Sequence, residues 1–338
     1  MYYYSNRQGR ATLAPAPKDG CVPEGFYSTT NYPTFVREKD QWEQVQLQRM
    51  DAVIVKKEEG YIATKLRDVR EGDLIVLGDE GVYIDAKLKD PGDPARFQFM
   101  DSEVSSEKRN ELIIEDLAKS LVFEGKQMTI VCGPAVVHTG ANKYMAQLIA
   151  MGYVKALLAG NAVAVHDMEQ NFFGTSLGVD KDTGRQVFNG YRNHMRAINR
   201  IKLAGSIKNA VEEGTLTGGI MYELTTHNVP YVLAGSLRDD GPLPETEMNM
   251  IEAQTQYNLH LRAADMVLVM ATMLHGIASG NMLPNYIPMY CIDIAPNVVT
   301  KLSDRGSDQN IGIVTDIGLF LKLLISEIKL LELERDGK

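Results

Sequence analysis

The sequence predicts an α/β protein whose mostly parallel sheet is preceded by a small β-rich domain. Two observations support this prediction. From Gln127 onwards, short unalternated apolar runs are interleaved with segments of helical periodicity, a pattern typical of a parallel sheet covered on both faces. Before residue 100, short β-branched runs are separated by the turn sequences EEG, REGD and DEG, which indicates a small barrel or sandwich.

Length and composition set the limits of this prediction. The 338 residues are enough for two domains, each with its own core. The 35 basic and 44 acidic residues give a net charge of −9, which argues against a nucleic acid or an anionic membrane as partner. No apolar run approaches the roughly 18 residues of a membrane span. We therefore expect a cytoplasmic protein that binds neither membrane nor nucleic acid.

The domains and their elements follow in order along the chain. Residues 1–25, rich in Pro, Gly and Ala, are expected to form an extended N-terminal arm, residues 26–100 the small β-rich domain and residues 101–338 the α/β domain. The β-rich domain has four candidate strands: DAVIVKK, YIATKL, DLIVLG and GVYIDA. The α/β domain has seven: MTIVC, VKALLA, AVAV, VPYVLAG, DMVLVMAT, MYCIDI and GIVTDI. Helices are expected over residues 141–151, 191–204, 207–213, 249–262, 296–302 and 317–331.

The segment CGPAVVHTG joins the first strand of the α/β domain to a helix. A strand, a glycine turn and a helix present backbone N–H groups to a phosphate, so this segment is a candidate cofactor turn. Its candidates are Gly133, Pro134, His138, Thr139 and Gly140. The segment lacks both GxGxxG and the P-loop pattern, and an ordinary strand–helix turn explains it equally well.

Two later strand ends carry further candidates. Asp293 ends an apolar run, where a carboxylate can accept hydrogen bonds from ribose hydroxyls; the alternative is a helix start just before Pro296. In ATMLHGIASGNMLP, Gly276 and Gly280 permit close approach of a flat ligand, although tight helix–sheet packing needs the same residues. Together with CGPAVVHTG, these strand ends are expected to form the rim of a binding crevice.

The segment NGYRNHMRAINRI contains Arg192, Arg196 and Asn199 on one side of a helix. Two arginines and an asparagine can bind an α-carboxylate, but a solvated cationic helix face is an equally simple explanation. His194 in the same segment is either a proton carrier near neutral pH or a surface histidine.

The loop SLRDDGPLPETE contains Asp239, Asp240 and Glu245. Such a cluster can bind an ammonium group, and a carboxylate with a raised pKa can act as a base; a solvated turn is the alternative. His166, Asp167 and Glu169 also follow an apolar run and are candidates for the same role. No metal-ligand spacing occurs among the histidines, the carboxylates and the three cysteines, which are Cys21, Cys132 and Cys291. We therefore expect no metal site.

Read together, several segments resemble one known family. They are CGPAVVHTG, GYVKALLAGNAVAVHDME, GTSLGVD, YRNHMRAIN, AGSIKNAVEEG, VPYVLAGSLRDDGPLPE, DMVLVMATMLH, GNMLP, DRGS and PAPKDGCVPEGFYSTTNYPT. The chain is similar, over roughly residues 14–325, to the conserved-region family of lysine-oxoglutarate reductase/saccharopine dehydrogenase. That family includes archaeal-type ornithine cyclodeaminases and the C-terminal part of cyanobacterial arginine dihydrolase/ornithine cyclodeaminases.

The resemblance implies a Rossmann-like NAD-binding domain and conversion of L-ornithine to L-proline and ammonia. A hydride would leave the α-carbon for NAD, the δ-amine would attack that carbon, ammonia would depart and the hydride would return. We assign catalytic roles to Asp239, Asp240, Glu245 and His194. Substrate binding is assigned to Arg192, Asn193, Arg196 and Asn31. NAD binding is assigned to Gly133, Pro134, His138, Thr139, Gly140, Asn161, Asp167, Asp293, Thr272 and His275.

Two alternatives remain open at this stage. One is a net NAD-dependent dehydrogenase of opine or saccharopine type, and the other is a non-catalytic sensor of NAD or an amino acid. Arginine hydrolysis is not expected, because nothing in the chain resembles the arginine dihydrolase part with its nucleophilic cysteine; the additional small domain of many relatives also has no counterpart. Apolar content and 16 methionines are compatible with a homo-oligomer, a dimer or tetramer. Asp293 favours NAD over NADP, because it would repel a 2′-phosphate.

Overall fold

The structure, a computed structural model, describes residues 9–38, 41–85, 106–180, 183–239, 241–305 and 310–337. Contacts among these residues divide the chain into two units. The first unit holds the described residues up to 85 together with Gly280–Tyr286, and the second holds the described residues of the remaining chain. No helix in the described ranges combines the length and the apolar character that crossing a membrane requires.

The first unit is built from two small antiparallel sheets. Its strands are β1 (Thr12–Pro15), β2 (Thr34–Arg37), β3 (Trp42–Gln44), β4 (Val53–Lys57), β5 (Gly60–Thr64), β6 (Leu74–Leu77) and β7 (Val82–Ile84). One sheet has the order β1-β6-β4-β5 and the other β3-β2-β7. Ile54, Tyr61 and Val76 form part of a buried apolar core. Strands β4 to β7 confirm the four strands predicted for this region.

The segment predicted to be an extended arm contributes strand β1. Thr12 to Pro15 pair antiparallel with Leu77 to Leu74 of β6, so the backbone groups of this segment take part in the sheet. The predicted domain boundaries at residues 25/26 and 100/101 stay a prediction.

The second unit is an α/β domain. Its strands are β8 (Met128–Cys132), β9 (Val154–Gly160), β10 (Thr175–Ser176), β11 (Val179–Asp180), β12 (Tyr231–Ala234), β13 (Thr246–Glu247), β14 (Met266–Met270), β15 (Met289–Asp293) and β16 (Asn310–Val314). Its helices are α1 (Ser106–Phe123), α2 (Ala135–His138), α3 (Asn142–Ala150), α4 (Asn161–Phe173), α5 (Asn193–Ala204), α6 (Ile207–Glu212), α7 (Ile220–Thr226), α8 (Met250–Arg262), α9 (Met273–Met282), α10 (Pro296–Arg305) and α11 (Ile317–Asp336).

Within the described residues, seven strands form one parallel sheet in the order β13-β12-β9-β8-β14-β15-β16. The chain proceeds outwards from β8 to β13 and then returns to β14 on the other side of β8. Every residue of β8 and β14 is buried, because helices cover both faces of the sheet centre. This arrangement confirms the predicted mostly parallel Rossmann-like sheet.

One predicted strand is wrong. The run AVAV belongs to helix α4, which begins directly after Gly160 and continues to Phe173. Because α4 is buried along most of its length, its apolar residues form an uninterrupted run that periodicity alone does not distinguish from a buried strand. Gly276, considered as a ligand-approach position, lies on α9, where a Cβ would come within 2.7 Å of Val269 Cγ1. The absence of a side chain at Gly276 therefore allows α9 to pack closely against the sheet.

Candidate functional site

The carboxyl ends of β8 and β14 lie side by side, at the point where the strand order reverses. In open α/β sheets, such a switch point forms the ligand crevice. The Gly133 amide donates a hydrogen bond to the Met270 carbonyl at 2.9 Å, and a Cβ at Gly133 would collide with the carbonyl oxygen of Ala271. Glycine is therefore required at this position by the close approach of two chain segments.

A pocket of about 430 Å³ opens beside this point, at the carboxyl ends of β8, β9 and β12. Its described lining combines histidines, an arginine, an aspartate and apolar side chains. The residues are Pro134, His138, Asn161, Ala162, Val165, His166, Leu177, His194, Met195, Ile198, Ser236, Arg238, Asp239 and Gly241. The structure thus brings together the predicted residues Pro134, His138, Asn161, His194 and Asp239.

His166 and Glu169 form a buried pair on α4 at the pocket. Nδ1 of His166 lies 2.9 Å from Oε2 of Glu169, and the Glu169 carboxylate also accepts hydrogen bonds from the Thr175 hydroxyl and the Gly178 amide. Burial opposes ionisation of Glu169, but these hydrogen bonds outweigh it and lower the pKa of the carboxyl. Because an ionised carboxylate only accepts, the neutral form of His166 would carry its proton on Nδ1 and keep Nε2 as an acceptor.

Two further histidine rings surround His166. The centre of the His138 ring lies 4.8 Å from that of His166, and the centre of the His194 ring lies 6.5 Å from it. Nδ1 of His138 is 2.7 Å from the Ser176 hydroxyl. Burial and then the neighbouring His166 lower the pKa of His138 to about 4. His138 is therefore neutral near pH 7 and can take part in hydrogen bonds without adding charge to the pocket.

The loop after β12 supplies charged groups to the same pocket. Asn161, the first residue of α4, donates from Nδ2 to Asp239 at 3.2 Å and accepts from the Leu243 amide and the Thr246 hydroxyl. The Ser236 amide donates to the other Asp239 oxygen at 2.6 Å. Asn161 thereby positions Asp239 in the wall of the pocket, which the exposed residue Arg238 also lines. Asp240 lies outside the described residues.

The opposite face of α4 borders a second cavity of about 490 Å³, whose lining includes Asp167, Gly140 and Asn142. Asp167 is fully buried and accepts hydrogen bonds from the Met221 amide at 2.9 Å and from Asn142 at 3.4 Å. Burial raises the pKa of Asp167 to about 6. The carboxylate caps the first turn of α7, so the structure gives Asp167 a structural contact apart from the first pocket.

His275, on α9, lies at the end of β9. The Tyr257 hydroxyl donates to the Ala159 carbonyl at 2.9 Å, and Nδ1 of His275 is 2.9 Å from the same hydroxyl. Because the hydroxyl has one proton and donates it to the carbonyl, Nδ1 of His275 is the donor in the second bond. Burial lowers the pKa of His275, and its Nε2 is left as an acceptor.

The remaining cofactor candidates lie at the turns of the sheet edge. Thr272 directly precedes α9, close to Gly133. Asp293 ends β15, and its Oδ1 accepts a hydrogen bond from the Ala295 amide at 2.8 Å, in accord with a helix start. The Thr139 hydroxyl donates to the Ala135 carbonyl at 2.9 Å within the turn after β8.

Four predicted residues have other surroundings in the structure. Arg192 and Arg196 are exposed, and Arg192 donates to the Tyr191 hydroxyl, so the predicted arginine face of α5 is directed to solvent. Glu245 accepts a hydrogen bond from the Ile207 amide at the start of α6. Asn31, in the first unit, is buried and donates to the carbonyl groups of Gly280 and Leu283. Their predicted roles in the chemistry stay predictions.

Asn193 is buried and contacts the pocket indirectly. Its Nδ2 donates to the Thr175 hydroxyl at 2.9 Å, and Thr175 in turn donates to Glu169. The sequence patterns did not single out Thr175 or Arg238, and they led us to assign NAD binding to Asp167 but no definite role to Glu169. The three-residue spacing between His166 and Glu169 becomes informative only when the segment is known to be a helix, because positions i and i+3 then share a face.

The fold and the pocket together define a class of protein. A parallel sheet with a switch point, and a polar pocket with a carboxylate-oriented histidine at its carboxyl edge, are typical of a Rossmann-fold domain that binds a small molecule. Two profiles of one family match the chain: "Arginine dihydrolase ArgZ-like, C-terminal, first region" over residues 33–114, and "Arginine dihydrolase ArgZ-like, C-terminal, Rossmann fold" over residues 113–324. The chain belongs to this family.

Individual relatives match over nearly the whole chain. An ornithine cyclodeaminase from Methanocaldococcus jannaschii is 49% identical over 95% of this chain and 78% of its own length. The crystal structure of a LOR/SDH protein from Methanococcus maripaludis S2 is similar with a TM-score of 0.89 and 45% identity, covering 96% of this chain and all of that one. The ternary complex of AgrE with ornithine and NAD⁺ is similar with a TM-score of 0.64 and 44% identity, covering 95% of this chain and 46% of that one.

Proposed function

We propose that this chain is an NAD-dependent ornithine cyclodeaminase, which converts L-ornithine to L-proline and ammonia. The observation that carries the proposal is the His166–Glu169 pair, which faces a pocket containing both a cationic and an anionic side chain at the carboxyl edge of a Rossmann-fold sheet. Five relatives named ornithine cyclodeaminase are 46–49% identical to this chain, and the alignment covers 78–80% of each relative.

The residues at the carboxyl edge of the sheet, at the switch point and at the neighbouring strands, fit a dinucleotide. N-cap residue Gly160 contributes no side-chain hydrogen bond to the first turn of α4, and that turn has no acidic side chain, so its amides suit a pyrophosphate. Gly133, Pro134 and Thr272 would form the walls, the acceptor nitrogen of His275 would face the cofactor, and Asp293 would accept from a ribose. NAD, when bound, supplies the acceptance and return of a hydride.

The pocket residues suit the two ends of an amino acid. The exposed Arg238 guanidinium would bind the α-carboxylate, for which its planar donors are matched. Asp239, held by Asn161 and the Ser236 amide, would bind an ammonium group. Nε2 of His166 would accept a proton from a substrate ammonium group and return it to the departing ammonia. His138, which is neutral near pH 7, and His194 would complete the wall around the reacting amines.

This proposal is tested by measuring the proline and ammonia that the purified protein forms from ornithine. The absorbance of the reduced nicotinamide is followed in the same sample. Equal amounts of the two products without net build-up of reduced cofactor are expected, because the hydride returns to the substrate. Build-up of reduced cofactor without proline would indicate a net dehydrogenase. NAD binding without turnover would indicate a sensor. The predicted oligomeric state, a homodimer or homotetramer, can be measured by light scattering of the same sample. The cytoplasmic location also stays a prediction.

A further inference from the structure

The turn between β10 and β11 has an unusual residue at its tip. Leu177 has a φ of 54° and Gly178 a φ of 72°, so both central residues of this hairpin turn adopt the left-handed conformation. Gly and Asn are favoured in such turns, whereas a leucine Cβ makes this conformation unfavourable. A strained residue of this kind persists only where its surroundings hold it, and such residues concentrate at functional sites.

The surroundings of Leu177 hold the turn firmly. The Leu177 amide donates to Glu169 Oε2 at 3.2 Å, and the Gly178 amide donates to Oε1 at 3.0 Å. A Cβ at Gly178 would lie 2.6 Å from the carbonyl carbon of Gly190, so the backbone is in tight contact with the segment before α5. The carboxylate that orients His166 therefore also determines where the Leu177 side chain lies.

The Leu177 side chain remains 58% exposed and lines the pocket, although a hairpin turn readily accommodates a polar residue. The other apolar lining residues Val165 and Ile198 are buried, and Met195 is 43% exposed. Leu177 and Met195 thus present free apolar surface in the pocket that Arg238, Asp239 and the histidines also line. An aliphatic chain with charged ends matches this distribution of polar and apolar surface.

We propose that Leu177 is a specificity-determining residue, whose side chain contacts the methylene groups of the substrate and sets the accepted chain length. This inference rests on the proposed function and adds the residue that selects ornithine among diamino acids. The strained backbone is retained, on this account, because it places an apolar side chain where a glycine would leave space and an asparagine would place a polar amide.

The variants Leu177→Gly and Leu177→Asn test the inference, with Leu47→Gly as the matched control. Leu47 has a φ of 56° and is 45% exposed, and it lies in the first unit, outside the described pocket lining. Both glycine variants are expected to melt at or above the wild-type temperature, since glycine relieves the left-handed strain. For Leu177→Gly, we expect kcat/KM with ornithine to fall on the order of tenfold, mainly through KM, and the preference over lysine to shrink. Leu177→Asn should behave similarly, and Leu47→Gly should keep the wild-type kcat/KM.

Calorimetric titration of the NAD-loaded proteins with L-ornithine, L-lysine and L-2,4-diaminobutyrate separates this inference from the proposed function. Wild-type turnover together with unchanged affinities and rates in both Leu177 variants would overturn the inference alone. Ornithine binding without proline formation by the wild type would overturn the proposed function, and weaker ornithine binding by Leu177→Gly would still support the inference. A wild-type protein that does not bind ornithine would overturn both.

Discussion

Glu169 accepts a hydrogen bond from Nδ1 of His166 at 2.9 Å, one turn away on the same helix, and neither side chain is appreciably exposed. The same carboxylate accepts hydrogen bonds from Thr175 and from the amides of Leu177 and Gly178. One buried charge thus orients the pocket histidine and also holds the hairpin that forms part of the pocket wall. If His166 transfers protons as proposed, substitutions at Glu169 should affect both catalysis and local folding.

The first prediction concerns Glu169→Gln. The amide is isosteric, but its nitrogen cannot accept from the Thr175 hydroxyl or the backbone amides, and it no longer stabilises a protonated His166. We expect kcat for proline formation to fall by about 100-fold and the free energy of unfolding by about 2 kcal/mol. Stopped-time product assays and urea unfolding measure the two effects.

The control is the pair formed by Glu223, partly exposed on α7, and the exposed His227 directly after that helix. Nδ1 of His227 lies 3.3 Å from Glu223 Oε2, so Glu223→Gln removes the same kind of contact away from the pocket. We expect this variant to keep its activity and to lose less than about 1 kcal/mol, as exposed ion pairs do. Equal loss of activity in both variants would show that the position of Glu169 has no special role.

The second prediction distinguishes Arg238 from the arginines of α5. If Arg238 binds the α-carboxylate, Arg238→Gln should raise KM for ornithine roughly 10- to 100-fold, the range expected for loss of a hydrogen bond to a charged group. Arg196→Gln should leave KM unchanged, because Arg196 lies on the exposed face of α5. A KM increase confined to Arg196→Gln would favour the carboxylate site that the sequence alone predicts. Steady-state kinetics at saturating NAD measure both.

Much of the fold follows from the sequence, because the apolar strands of the second unit and the periodic helices α5, α8 and α11 differ clearly in pattern. The site follows less completely. The segment from Asn161 to Glu169 is apolar enough to be either strand or helix, and its assignment decides which polar residues share a face. As a helix, it directs His166 to one pocket, with the buried Glu169 in contact with His166, and Asp167 to the other cavity.

Arg238 illustrates a second limit. The loop after β12 contains an arginine and two aspartates in succession, and nothing in their order indicates which of them reaches the pocket. That outcome depends on Asn161, which is remote in sequence and donates to Asp239. Contacts over such sequence separations are absent from any local pattern, so a single sequence does not reveal them.

The third prediction compares two glycines at the sheet edge. Gly133→Ala would place a Cβ against the carbonyl oxygen of Ala271, and because the Cβ is fixed to one backbone segment and the oxygen belongs to the other, the two segments must separate. We expect a loss of about 3 kcal/mol in the free energy of unfolding and weaker NAD binding. Gly160→Ala should fold normally, because a Cβ there lies 3.7 Å from the Ala234 carbonyl oxygen. Thermal unfolding with and without NAD distinguishes the two; equal stability of both variants would contradict the packing argument.

The fourth prediction uses the buried carboxyl group of Asp167. Burial raises its pKa in the native state to about 6, whereas the ordinary value is 3.8. Between these two values the native state binds more protons than the unfolded state, so the contribution of Asp167 to stability increases as the pH falls from about 6 towards 3.8. Above about pH 6 the buried carboxylate is ionised. The free energy of unfolding is then about 3 kcal/mol lower than it would be with Asp167 protonated in both the native and the unfolded state.

Asp167→Asn replaces this carboxyl by a neutral group that can still accept from the Met221 amide. We therefore expect the variant to gain stability relative to the wild type between pH 6.5 and 8, and this gain to shrink as the pH falls through 6. His138 titrates in an overlapping range but is common to both proteins, so its effect cancels in the difference. Urea unfolding at a series of pH values measures this difference in stability.

Asp316→Asn is the control, because Asp316 caps α11 through the Leu319 amide but is exposed. If Asp167→Asn lost stability equally at every pH, the capping hydrogen bonds, and not the buried charge, would determine its contribution.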